Sequence, residues 1–393
     1  MANEAVIVAY GRTAMTKARK PGKTGGLSQI HPVDYLADTL KGVVERLGSD
    51  FDPTLIEDVI IGCAKPINEL ELNPARLAVF RAGLPDSIPG QTINRFCSSG
   101  LQAIATASNA ISMGQAKCII AGGVESMTKC NPPYPDEHKN PWIKENYEGG
   151  YMLMGETAER VADKYDIKRE DMDKAAYESH VKAAAARAQG KFKNEIIPIT
   201  DGEGNVIDYD DGIQADLEGN LTTSLEKISS LRTVFRENGR ICAAACSQVT
   251  DAAALVCVME KSLAESLGLK PLAKLVGFSV AGCDPTLMGL GPIYAVPKVL
   301  EQTGLTIDDM DVIEINEAFA SQALACINEL KMPEEKVNPW GGAMALGHPM
   351  GATGAILTMK AIDYLKDKGC GKYAMVTMCI GEGMGAAGIY EVY

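Results

Sequence analysis

Strand-length apolar runs alternate with helix patterns at both ends of this 393-residue chain. That alternation predicts an α/β fold built on largely parallel sheet with covered faces. Ala5 to Tyr10 reads as a strand, Pro32 to Leu47 as an amphipathic helix opened by its proline, and Asp58 to Gly62 as a second strand. Asn73 to Gly83 predicts a further helix. A strand then leads to Cys97, a helix runs from Ser98 to about Gly114, and Cys118 to Gly122 is again strand. From Met127 to about Gly239 the texture changes. Proline and charge dominate Lys129 to Glu148, and a long helix pattern covers Asp171 to Gly190. Asp201 to Asn220 carries seven carboxylates without Lys or Arg. The acids around Gly212 miss the spacing of a calcium loop, so a solvated, turn-rich excursion is expected.

After Ile241 the α/β pattern returns with an internal echo. Val43 to Gly48 followed by Ile56 to Ile60 resembles Lys298 to Gly304 followed by Asp309 to Ile313. Any two α/β units share such a pattern. A true duplication has a further consequence: the strand-to-helix junctions at Cys97 and His348 would face each other across one central site. The expected organisation is an N-terminal half (1–126), an inserted loop domain (127–239) and a return segment completing the first half (240–270). A C-terminal half (271–393) follows.

Composition removes several function classes. A net charge of −13 argues against a nucleic-acid partner, because neutralising phosphates needs a basic face. No run of eighteen apolar residues is present, so no membrane span is expected. Eleven cysteines without a C-x-x-C pair, beside four histidines, predict reduced thiols rather than disulfides or a metal site. The start lacks the pattern of a secretory signal, and Glu391-Val392-Tyr393 matches a peroxisomal signal poorly, so a cytoplasmic location is expected.

Cys97 and His348 form a candidate nucleophile–base pair, since a thiol is only partly ionised near neutrality and an imidazole within reach completes its activation. Placement at a helix start is expected to lower the thiol pKa. A packed cysteine or a satisfied loop histidine is the plainer reading of either residue alone. His348 nevertheless lies in the glycine-rich run Gly341 to Gly351, whereas His31, His138 and His180 have no such context. Cys379 closes the apolar strand Tyr373 to Met378, and Gly381 after it frees a backbone N–H to face an oxyanion. Asn316 ends the strand Asp311 to Ile315 and reads as a helix N-cap that can equally hold a water.

Four motifs carry a family resemblance: Cys97-Ser98-Ser99, Asn316-Glu317-Ala318-Phe319, Gly347-His348-Pro349 and Cys379-Ile380-Gly381. Gly122 to Met127 and Met154 to Glu159 support them. In order and spacing the chain resembles the thiolases along essentially its whole length. The resemblance implies two similar halves whose mixed, mostly parallel sheets sandwich central helices. It also implies a ping-pong acyltransferase with coenzyme A as substrate and no metal or redox cofactor. In one direction a 3-oxoacyl-CoA is cleaved by CoA, and in the other two acyl-CoA molecules condense. By that resemblance Cys97 carries the acyl group, His348 activates it, and Cys379 is the acid/base. Asn316 positions a water that makes one oxyanion hole with His348, and the N–H groups of Cys97 and Gly381 make the other. Met154, Phe235, Ser247 and Phe319 match positions along the coenzyme, and a homodimer or homotetramer is implied.

The chain departs from the usual pattern at Trp340-Gly341-Gly342, Gly381-Glu382-Gly383 and Ala245-Cys246-Ser247. Trp340 and Glu382 are expected to narrow or charge the pocket, unless Glu382 points away from it. Ser98-Ser99 after the cysteine, and Leu153, resemble broad-range 3-ketoacyl-CoA thiolases more than acetoacetyl-specific ones, the second reading. Three rivals remain. A ketoacyl-carrier-protein synthase would need a second motif histidine. A non-catalytic relative would not need both thiols. A Cys-His hydrolase would act without CoA.

Overall fold

The computed structural model describes residues 3–20 and 23–393. Strands β1 (Ala5–Arg12), β2 (Thr16–Lys17), β3 (Asp58–Gly62), β4 (Gly90–Ile93) and β5 (Cys118–Ser126) alternate with helices α1 (Pro32–Glu45), α2 (Pro74–Ala82) and α3 (Ser99–Ser112). The next segment holds α4 (Pro141–Asn146), α5 (Met154–Lys164), α6 (Arg169–Ala188), the ribbon of β6 (Ile199–Thr200) and β7 (Val206–Ile207), and α7 (Leu225–Ser229). Then come β8 (Thr250–Glu260), α8 (Lys261–Ser266), β9 (Ala273–Gly282), α9 (Gly291–Thr303) and β10 (Val312–Ile315). The chain closes with α10 (Ala320–Glu329), α11 (Ala343–Leu346), α12 (Met350–Lys368), β11 (Tyr373–Ile380) and β12 (Met384–Val392).

The duplication is visible in strand order. In the first half the order is β4-β3-β5-β8-β1, and in the second β10-β11-β12-β9. Directions match position by position: β3 and β5 run parallel, as do β10 and β11, while the two following ladders in each half are antiparallel. Even β4 has a counterpart, because Val337 bridges Ile313 in parallel where β4 lies beside β3. Strands β1 and β9 join the halves at Ile7 with Ala273, and the isolated bridges Cys246–Phe319 and Val249–His348 also cross between them.

The sheets are mixed, as expected, but antiparallel ladders outnumber parallel ones, against the expected balance. The short turn from β11 to β12 allows only an antiparallel hairpin, and uniformly buried strands read alike in either direction. Helices α1 and α2 cover one outer face and α9 and α10 the other, with α3 and α12 between the half-sheets. At the centre the backbones approach too closely for side chains. A Cβ on Gly100 would lie 2.7 Å from Gly351 O, and one on Gly354 would lie 2.3 Å from Leu101 N.

The acidic stretch is not wholly solvated. Asp210 is buried and takes two bonds from Arg12 of β1, at 2.8 and 2.9 Å, and Glu195 takes a third at 2.7 Å. These partners lie far apart in sequence, so local composition does not reveal that they draw the insertion onto β1. Asp201 and Asp216 do close exposed turns through Asn205 and Asn220.

The fully buried Glu125, at the end of β5, joins the halves. Its carboxylate accepts from the N–H groups of Ala64 at 2.9 Å and Lys65 at 3.1 Å in the first half, and of Gly351 at 2.9 Å in the second. Burial pushes its pKa from the ordinary 4.5 up to about 7, opposed by those three donors. A raised carboxyl pKa means the folded state holds the proton longer, so its contribution to stability declines as pH rises from about 4.5 to about 7. The stability gap between wild type and E125Q, followed by denaturant unfolding, is therefore expected to shift against wild type over that window. A constant gap from about pH 5.5 to about pH 8 would show that the carboxyl ionises normally.

Candidate active site

Cys97 lies on a single helical turn, Phe96–Ser98, between β4 and α3, rather than at the end of a strand. The difference comes from Phe96, which takes a left-handed φ of 44°. Asn94 Oδ1 accepts its N–H at 2.8 Å, and Ser99 Oγ donates to its carbonyl at 2.7 Å. The turn packs against both α12 and β11, so Cys97 faces the second half. The thiol is not acidified as its place near a helix start suggests. Burial pushes its pKa up to about 11, against the opposing pull of the N–H groups of Gly381 and of Cys97 itself. At rest it is protonated, and making it a nucleophile requires a base.

His348 sits between α11 and α12, with its N–H bonded to Gln248 O at 3.1 Å. Gly347 before it has φ 111°, and a Cβ there would strike Thr250 Oγ1 at 2.2 Å, so only glycine turns the chain here. The ring is buried, which pushes its pKa down to about 4 and keeps it neutral. Nδ1 lies 2.7 Å from Thr353 Oγ1 and Nε2 lies 3.5 Å from Asn316 Nδ2. Asn316 is completely buried, and its Oδ1 has no protein partner. It is not the N-cap expected from sequence. Helix α10 starts later, with Phe319 at the cap and Gln322 Oε1 accepting from Ala318 N at 3.1 Å. This frees the Asn316 amide for the ring.

Cys379 is buried near the end of β11. Burial and the neighbouring sulfurs of Cys97, Cys326 and Cys283 hold its pKa well above that of an ordinary thiol, so it keeps its proton at rest. The turn after it places Gly381 against the Cys97 turn, where a methyl group on it would lie 3.7 Å from the Phe96 ring. Within that turn Glu382 takes a left-handed φ of 64° and is exposed. Gly383 must be glycine, since a Cβ would lie 2.5 Å from Cys283 O.

The residues matched to coenzyme positions also gather. Phe235 and Phe319 meet edge to face with centroids 6.1 Å apart, both Phe235 and Met154 are partly exposed, and Gly155 lies directly beneath the Phe235 ring. A methyl group on Gly381 would lie 4.0 Å from Met154 Sδ. Ser247 joins through its N–H, bonded to Ala318 O at 2.9 Å. Trp340 does not fit its expected place beside the pocket. It fills core between Phe192 and Tyr364, at 6.0 and 5.6 Å, where two aromatic rings bury its large apolar surface.

Three supporting residues escaped the sequence reading. Glu317, inside a quoted motif, accepts from Ser179 Oγ at 2.8 Å, Asn338 Nδ2 at 3.0 Å and Met344 N at 3.2 Å. A Cβ on Gly342 would lie 2.2 Å from its carboxyl carbon, so this glutamate holds the His348 loop against the Asn316 loop. Thr353 and Glu125 carry no local signal of their contacts. Among the described residues no cluster of His, Cys, Asp and Glu could hold a metal ion, and no helix is long and apolar enough to cross a membrane.

If Cys97 is protonated at rest, its alkylation by iodoacetamide is expected to keep accelerating above about pH 9, beyond where an ordinary thiol levels off. Peptide mass analysis reads the rate, and a plateau at or below about pH 7 would mean a preformed thiolate.

Both halves of the chain are similar to known proteins. Residues 5–262 match the family model for the thiolase N-terminal domain, and residues 269–392 that for the C-terminal domain. The chain is 43% identical over 401 residues to a 3-ketoacyl-CoA thiolase of Bacillus subtilis (strain 168), covering 99% of each chain. It is 41% identical to the beta-ketoadipyl-CoA thiolase of Acinetobacter baylyi, covering 93% of this chain and 95% of that one. The crystal structure of the Bacillus anthracis acetyl-CoA acetyltransferase superposes with a TM-score of 0.90 at 35% identity, covering 100% of this chain and 99% of that one. On the strength of both halves, the chain belongs to the thiolase family.

Proposed function

We propose that this acyltransferase cleaves 3-oxoacyl-CoA with coenzyme A, giving acetyl-CoA and a shortened acyl-CoA, and runs the reverse condensation at the same site. The observation that carries the reading is the packing of the Cys97 turn against β11, which bears Cys379, and against α12, which follows His348, with Gly381 beside the Phe96 ring and Asn316 at the His348 ring. In the first half-reaction His348 Nε2 takes the Cys97 proton and the thiolate attacks the C3 carbonyl. The oxyanion is met by the N–H groups of Cys97 and Gly381. The C2–C3 bond breaks, leaving acyl-Cys97 and the enolate of acetyl-CoA, which Cys379 protonates at C2. In the second half, Cys379 takes the proton of an incoming CoA thiol, whose sulfur attacks the acyl-Cys97 carbonyl and expels the Cys97 thiolate, which takes back its proton from His348. Asn316 Oδ1, without a protein partner, is free to hold the water that completes the hole at His348.

CoA thus serves as substrate, with Met154, Phe235, Ser247 and Phe319 flanking its pantetheine. The name of the Acinetobacter relative, a beta-ketoadipyl-CoA thiolase, favours substrates longer than acetoacetyl-CoA. The Bacillus anthracis neighbour keeps the acetoacetyl-specific alternative in view. A homodimer or homotetramer fits the free edge of β4 among the described residues. Cytoplasmic residence fits the free thiols.

Thiolysis of acetoacetyl-CoA and of a medium-chain 3-oxoacyl-CoA, each with and without CoA, tests the reading. CoA-dependent cleavage of both is expected. Cleavage of acetoacetyl-CoA alone selects the narrower class, and cleavage of neither overturns the proposal. C97A is expected to lose acyl-enzyme formation, whereas C379S should still acylate slowly while turnover falls on the order of 100-fold or more. Normal turnover by C379S would remove Cys379 from the acid/base role.

A further inference from the structure

The His348 ring has two polar contacts, and they differ in quality. At Nε2 the Asn316 amide stands at the outer limit of a hydrogen bond, 3.5 Å away, with its NH₂ side toward the ring. At Nδ1 the Thr353 hydroxyl lies at 2.7 Å, a close bond made in the first turn of α12 and almost completely shielded from water. Thr353 is β-branched and helical, so few rotamers are open to it, and a side chain held this way can hold its partner. Neither partner at the ring is a carboxylate.

A neutral imidazole carries one proton, and its place decides what the other nitrogen can do. With the proton on Nε2, that nitrogen would oppose the Asn316 NH₂ and could not accept from Cys97. With the proton on Nδ1, the Thr353 oxygen receives it, Nε2 is bare, and the amide faces an acceptor. Burial keeps the ring neutral, so its tautomer is the deciding variable.

We propose that Thr353 is a positioning residue for His348: its Oγ1 accepts Nδ1–H, selecting the tautomer whose bare Nε2 takes the proton of Cys97. In that step the S–H bond of Cys97 breaks and an Nε2–H bond forms. The Nδ1–H bond to Thr353 persists through the resulting imidazolium. The hydroxyl does what an orienting carboxylate does in a nucleophile–base–acid triad, without placing a charge beside the ring. The inference rests on the reading of His348 as the base.

Two measurements on the full-length protein test it. Nitrogen-15 NMR of histidine-labelled protein reports which ring nitrogen is protonated. Only four histidines are present, and H348N identifies the signal of interest. Wild type and T353S are expected to show protonated Nδ1 and bare Nε2, and T353V is expected to lose that preference. In CoA-dependent thiolysis T353V should lower kcat on the order of 10- to 100-fold with KM within about twofold, and T353S should recover to within about threefold. A bare Nδ1 in wild type overturns the proposal, as does T353V with unchanged kcat. Should T353V fail to fold, the wild-type spectrum alone decides. If wild type cleaves no 3-oxoacyl-CoA, the functional reading fails while the spectrum still decides the tautomer.

Discussion

Three backbone N–H groups converge on the buried carboxylate of Glu125, two from the loop after β3 and one from the first turn of α12. The two halves also meet where β1 pairs β9 and through the backbone bridges Cys246–Phe319 and Val249–His348, and this carboxylate and the packing of α3 against α12 add to that register. That packing in turn depends on glycine. A Cβ on Gly123 would sit 1.9 Å from Gly351 O, and one on Gly351 would lie 2.8 Å from both Gly62 O and Val124 O. Bare backbone at these places lets α12 press onto β3 and β5, which aligns the His348 loop with the Cys97 turn.

The site between the halves is kept electrically quiet. Burial raises the pKa of both reactive thiols and lowers that of the imidazole, so the three main groups are neutral at rest. Charge then develops only during reaction, where fixed N–H dipoles and a positioned amide meet it without reorganising. On the proposed reading, a thiol that is poorly ionised alone depends on His348 as its base, which ties the first half of the chain to the second in chemistry as well as in packing.

Much of the fold was legible. Helix α2 was bounded within a residue at each end because Asn73 caps it and Gly83 closes it with φ 69°, a local signal at both ends. The repeat of α1 and β3 in α9 and β10 was legible as a recurring helix-turn-strand pattern. What escaped depended on distant partners. Asp210 looked solvated until Arg12, 198 residues away in sequence, was brought to it. Asn316 looked like a cap until the helix was seen to start at Ala320. Strand direction escaped because a strand buried on both faces has the same pattern whether its neighbour runs with it or against it.

The sequence by itself determined which groups could do chemistry: two cysteines, one histidine among glycines, and an asparagine, each at a junction its neighbours mark. It offered the internal echo too, since apolar periodicity is a local property written within a few residues, but strand order made the echo a duplication. Only the tertiary structure decided how those groups behave. Protonation follows from burial, and the hydrogen bond of His348 to Thr353 follows from where α12 begins relative to its loop. Both depend on which distant segments exclude water from the centre, and that is settled by packing the two halves together.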